Sequence, residues 1–162
     1  MRKSFVFGRS FFLLTICALS AMTAGILSAA LMDLYLISLM RQFLMVSVSI
    51  VVRLAVAVLP FLIAAYAVSI EQWNILLITV FLRFFCWGFA SGICIRAFGS
   101  AAWLVQPLWQ FADNGTLMLF CLYCFMGEKR KMAFLLSLLG ILLTVMVDQI
   151  IIWPFFISLL SF

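Results

Sequence analysis

Histidine is missing from this chain of 162 residues, and only five residues are acidic. Without histidine the side chain that most often moves protons near neutral pH is gone. The carboxylates Asp33, Glu71, Asp113, Glu128 and Asp148 are scattered over different loops and depths. Acid–base work needs paired groups, and covalent catalysis needs a nucleophile beside a base. No Ser or Asp inside an apolar stretch has such a neighbour, and Asp113 with Asp148 is the one remote pairing an aspartyl-type site could use. The expectation is a protein that is not an enzyme and carries no cofactor.

Charge of either sign is scarce as well. Charged residues make up 9% of the chain and hydrophobic ones 69%, against about a quarter and about half in a soluble globular domain. A soluble fold of this length has too much surface for its volume to hide so much apolar area. Lipid is the solvent that suits it. One bilayer span takes about 20 residues, which leaves room for four to six spans and no appended soluble domain. Residues 1–162 are therefore expected to form a single transmembrane domain.

Five cysteines, Cys17, Cys86, Cys94, Cys121 and Cys124, all lie inside apolar runs. An odd count argues against a complete disulfide framework, and buried thiols behave as small hydrophobes. Cys121-x-x-Cys124 has redox or metal spacing, but no histidine and no second cysteine pair exist to complete a tetrahedral zinc site. No metal centre is expected.

The net charge is +5, and six of the ten basic residues form two clusters: Arg2, Lys3 and Arg9, then Lys129, Arg130 and Lys131. Triplets so close to apolar spans are too short for a nucleic-acid footprint. They suit the basic flanks that mark the cytoplasmic side of a membrane.

The first apolar stretch, from Phe11 to Met32, is longer than the 7–15 residues of a signal-peptide core, so it reads as an uncleaved span. Ala21, Gly25 and Ala29 recur every fourth residue and give that helix a small face for close packing. The Asp33–Arg53 region reads as an interfacial or tilted helix running into a second span, Leu54–Ile70, which contains Pro60. Glu71 to Asn74 forms a polar turn, and Trp73 suits the membrane interface. A third span covers Ile75–Ile95. Pro107, Asp113 and Asn114-Gly115 interrupt the next apolar stretch, so a fourth span, Trp103–Met126, is expected to be broken or re-entrant. The fifth, Met132–Trp153, is expected to end at Pro154. The fold class is all-α, a polytopic membrane helix bundle of about five transmembrane helices. Four spans separate the two basic clusters, which places the N-terminus inside and the C-terminus outside, with Arg41 and Arg96 on the outer face.

Ionisable residues at depth are costly and normally face a partner or a cavity. Arg83 is nine residues past Asn74, about 13 Å deep. Asp113 is 14 residues before Gly127, about 20 Å up if helical, within reach of an arginine; an Arg83–Asp113 pair is expected. Arg53 and Asp148 each stand 17 residues from their inner edges, about 25 Å, and form a second candidate pair. Around the third span, Arg83, Trp87, Ala90 and Cys94 share one stripe while Gly88 and Gly92 fall nearly opposite. A helix with requirements on both faces belongs at the centre of a bundle.

Residues 75–127 resemble the membrane core of the stage II sporulation protein M family. The resemblance is carried by a basic residue in an apolar helix, Arg83, then Gly88-Phe89-x-x-Gly92, a glycine turn at Gly99 and the Asp113-Asn114-Gly115 break. Members carry a longer extracytoplasmic segment between the first two spans than the Asp33–Arg53 region here. The resemblance implies five spans, an outward C-terminus and a non-enzymatic scaffold that localises partners such as cell-wall-remodelling factors in a bacterial plasma membrane. Partners would be the lipid bilayer and other membrane or extracytoplasmic proteins, or further copies of the chain, and no nucleic acid. The alternative is a membrane subunit of a transporter or small-solute permease, because a broken helix beside a polar group at mid-depth marks many solute sites.

Overall fold

The computed structural model describes residues 2–45, 49–99, 114–122, 124 and 130–160. All regular structure among them is helical: α1 (Arg2–Ala30), α2 (Leu34–Met45), α3 (Ile50–Ser69), α4 (Trp73–Phe98), α5 (residues 114–122), α6 (Arg130–Val147) and α7 (Trp153–Leu160). A π-helical turn, Asp148–Ile152, joins the last two. Among the described residues four stretches are long and apolar enough to cross a membrane: Ser10–Ala30, Ile50–Ser69, Trp73–Phe98 and Met132–Phe155. The expected count was five. The remaining expected span, Trp103–Met126, falls largely outside the described residues, and those of it that are described, 114–122 and 124, are helical.

Each boundary has a local cause. The expected helix running from Asp33 into the second span is instead two helices. Asp33 Oδ1 accepts from Tyr35 N–H at 3.3 Å and starts α2. Ser49, with extended backbone, caps α3 by accepting from Val52 N–H at 3.4 Å. The second apolar helix thus begins at Ile50 rather than Leu54. Glu71, at φ 58°, turns the chain between α3 and α4, and Gln72 N–H closes that turn on Ala67 C=O at 2.9 Å.

Pro154 does not end the last helix. A proline has no N–H and its ring crowds the carbonyl four residues back. Here the preceding turn is widened so that Trp153 N–H bonds Asp148 C=O, five residues back. Pro154 then falls in the first turn of α7, where a missing N–H costs nothing.

α4 packs against α1, α2 and α3. It runs parallel to α1: Cys17 Sγ, midway along α1, lies 3.8 Å from Leu77 O near the start of α4, and Arg96 Nη1 is 2.8 Å from Ala29 O near the ends of both. α3 runs the other way, with Ala67 and Val68 beside Trp73 and Leu76. α6 is antiparallel to α3, with Phe61 stacked on Phe134 at 5.2 Å between centroids. Phe120 of α5 meets the same Phe61 edge-on at 4.8 Å. The core is rich in small residues: Ala18, Ala21, Ala57, Ala64, Ala67 and Ala133 are all buried. Large leucines, such as Leu135, Leu139 and Leu143 of α6, face outward. In lipid, burial of leucine offers no gain, so close packing of small faces holds helices together.

The α1–α4 seam is the tightest of these faces. A Cβ on Gly25 would come within 2.7 Å of Phe89 N, and one on Gly92 within 2.6 Å of the Ala29 Cβ. A Cβ on Gly88 would overlap the backbone of Met22. Ala21 and Ala29 are fully buried in the same seam. The two small faces noted in the sequence thus meet each other.

Candidate functional site

Arg83 lies at the seventh residue position before Ala90 on the α4 stripe, ten residues past the helix start and so about 15 Å along it. Its Nε donates to Asn114 Oδ1 at 2.9 Å, and its Nη1 donates to Val56 O at 3.3 Å. The second acceptor exists because of Pro60. Four residues after Val56 on α3, Pro60 cannot donate to the Val56 carbonyl, and the arginine takes the place of the missing N–H. Asn114, 1% exposed, lies in α5. One guanidinium therefore holds α4, the proline-interrupted turn of α3 and α5 together. Asp113, the partner expected for Arg83, lies outside the described residues.

Arg53 and Asp148 form an ion pair through Nη1 and Oδ2, both side chains being 10% exposed. The Arg53 guanidinium also lies over the Trp153 ring, 4.6 Å from its centroid. With its amide turned so that the oxygen faces the arginine, Gln149 accepts from Arg53 Nε at 2.7 Å. Three side chains of the π turn and its successor, Asp148, Gln149 and Trp153, converge on one arginine. The wider turn alters the angular offset between positions 148 and 153, which an ordinary helix would set by its 3.6-residue period.

Arg96 is the third bridging arginine. Its Nη1 donates to Ala29 O at 2.8 Å, Ala30 O at 3.1 Å and Met32 O at 2.7 Å. The last carbonyls of a helix have no internal donors, and a cation there also complements the helix dipole. The sequence placed Arg96 at the outer face but contained no sign that it would cap α1.

The cysteines are free thiols, with Cys94, Cys121 and Cys124 buried and Cys86 exposed. No group of three or more potential metal ligands occurs among the described residues. No protein-family model matches the chain, and no curated protein or solved structure matches it.

Proposed function

We propose that the chain is a non-enzymatic integral membrane scaffold or assembly subunit, set in a bacterial plasma membrane with its N-terminus cytoplasmic and its C-terminus outside. The observation that carries this reading is the use of the arginines: Arg53, Arg83 and Arg96 each tie one helix to another. Charges spent on rigid cross-links suit a platform that holds partners in fixed positions. The resemblance to stage II sporulation protein M in residues 75–127 points the same way and names the partner class, cell-wall-remodelling proteins gathered at a membrane.

A fifth crossing belongs to this proposal. Gly99 follows the end of α4, whereas Cys124 sits beside Trp73 and Leu76 at its start. In this reading the chain between them crosses from one end of the bundle to the other. That crossing brings Lys129 to Lys131 back to the side of Arg2, Lys3 and Arg9, as the positive-inside rule asks.

The test is purification from native membranes in mild detergent, with chemical cross-linking before extraction. Enrichment of a defined membrane or extracytoplasmic protein is expected. A monodisperse chain with no enriched partner would overturn the scaffold reading.

A transport subunit is the second reading, favoured by one observation: Arg83, partway along α4, donates to the buried Asn114 of α5, so a cation and a polar side chain of another helix meet at depth. Polar groups near mid-depth mark many solute sites in transporters. Solute flux in liposomes, lost in Arg83→Leu with folding intact, would establish that reading in place of the first.

A further inference from the structure

We infer that the bundle selects anionic phospholipids at the start of α6, where Arg130 and Lys131 lie at the base of the headgroup layer. α1 and α6 both run parallel to α4, α6 because it is antiparallel to α3 and α3 is antiparallel to α4. The three helices therefore begin at one end of the bundle, and Arg2, Lys3, Arg9, Arg130 and Lys131 are all placed there. Glu71, on the exposed α3–α4 turn, is the one acidic residue at that end among the described residues. Glu128 and Lys129, just before α6 in sequence, carry opposite charges. A zwitterionic headgroup has no net charge to answer this basic excess, whereas an anionic one does.

Depth separates the two basic groups. Trp73 stands beside Ala67 and Val68, and an indole at a span end marks the headgroup level. Phe61 stacks on Phe134. Counting along both helices from that contact sets Arg130 level with Ala65, about 4 Å beneath Trp73. α3 continues past Ala65 to Ser69, so α6 starts in a recess about 6 Å deep. Basic side chains just beneath the headgroups can extend up to them. Met132, Leu135 and Leu136 are exposed, which leaves α6 open to lipid beside the basic pair. α1 does the opposite. The contact of Cys17 with Leu77 puts Leu13 level with Trp73, and the helix carries on to Arg2, about 16 Å further out. Arg2 and Lys3 thus stand some 20 Å from the recess, more than two Debye lengths of about 8 Å.

The experiment is native mass spectrometry of the full chain, delipidated in detergent and given equimolar phosphatidylglycerol and phosphatidylethanolamine with identical acyl chains. One basic residue near an anionic surface is worth about five-fold, so the pair should give a preference of about five- to twenty-five-fold for phosphatidylglycerol. Arg130→Gln with Lys131→Gln should lower that preference by about five-fold or more. Should that variant not fold, Lys131→Gln alone is expected to lower it in the same direction. Arg130→Lys with Lys131→Arg keeps both charges and should keep the preference. Arg2→Gln with Lys3→Gln removes as much charge from the same end and should leave the preference unchanged. Excess inorganic phosphate, which has no acyl chain to lie against α6, should not displace the bound lipid. Equal retention of the two lipids by the unaltered chain overturns the proposal. So does a loss from the α1 pair as large as that from the α6 pair, a preference that survives neutralising the α6 pair, or displacement by inorganic phosphate.

Discussion

Arg83 donates to acceptors on two different elements, and each acceptor depends on it in a distinct way. Val56 O has lost its own helical donor to Pro60, and Asn114 of α5 is buried. Arg83→Leu should lower stability by about 1–3 kcal/mol, the usual cost of leaving buried polar groups without partners, measured as thermal unfolding in detergent. Pro60→Ala restores an N–H to the Val56 carbonyl and should offset part of that loss, with a coupling near 0.6 kcal/mol, typical of polar contacts between membrane helices. Strict additivity of the two changes would mean that the Val56 contact contributes nothing. Arg53 and Asp148 offer a charge-reversal test. Either single reversal leaves two like charges at 10% exposure and should abolish recovery of folded protein. Arg53→Asp combined with Asp148→Arg should restore it, and failure of the double variant would show that the neighbours Gln149 and Trp153 fix the polarity of the pair. At this scale the sequence was informative about which residues needed partners, because an ion at depth is costly wherever it sits. It was uninformative about backbone partners: a carbonyl exposed by a proline and the last carbonyls of α1 leave no mark on side-chain spacing.

The helices themselves show the same division. Small residues at every fourth position in α1 and the Gly88/Gly92 pair in α4 were both legible as packing faces. Their mutual contact was not, since a periodic small face does not specify which other face it meets. Gly88→Ala should destabilise the bundle by about 1–3 kcal/mol or more, because a Cβ there overlaps the Met22 backbone. Gly115→Ala should do the reverse. Nothing lies within 4 Å of a Cβ at Gly115, and alanine is favoured over glycine in a helix by up to about 1 kcal/mol. Opposite signs for the two substitutions in one unfolding assay would support the seam; equal signs would not. Pro154 illustrates the limit of helix-stop signals. Its effect on the chain depends on the hydrogen-bond register of the preceding turn, and that register is five residues here because Asp148, Gln149 and Trp153 all face Arg53.

For the molecule as a whole, the parallel pairing of α1 and α4 has a topological consequence. Helices that are parallel and both cross the membrane end on the same side, so positions 33 and 99 share one compartment and position 71 faces the other. Single cysteines introduced at Asp33, Glu71 and Gly99 in a chain with its own cysteines replaced by alanine report this through an impermeant thiol reagent. Labelling from outside at 33 and 99, and at 71 only after the membrane is opened, is the expected pattern. Labelling of 71 from outside would invert the proposed orientation.

Composition alone determined the class of this protein: at 69% hydrophobic and 9% charged, it resolves into apolar helices, four of them among the described residues long enough to cross a membrane. The positions of Arg53, Arg83, Gly88 and Gly92 along those helices followed from counting, because rise per residue and angular period are properties of any α-helix. Tertiary structure decided the partners. Arg83 meets Asn114 and the Val56 carbonyl, Arg96 caps α1, and the two glycine faces close on each other. These choices depend on which helices become neighbours and how they are rotated. Packing across the whole bundle sets both, and no local spacing encodes them.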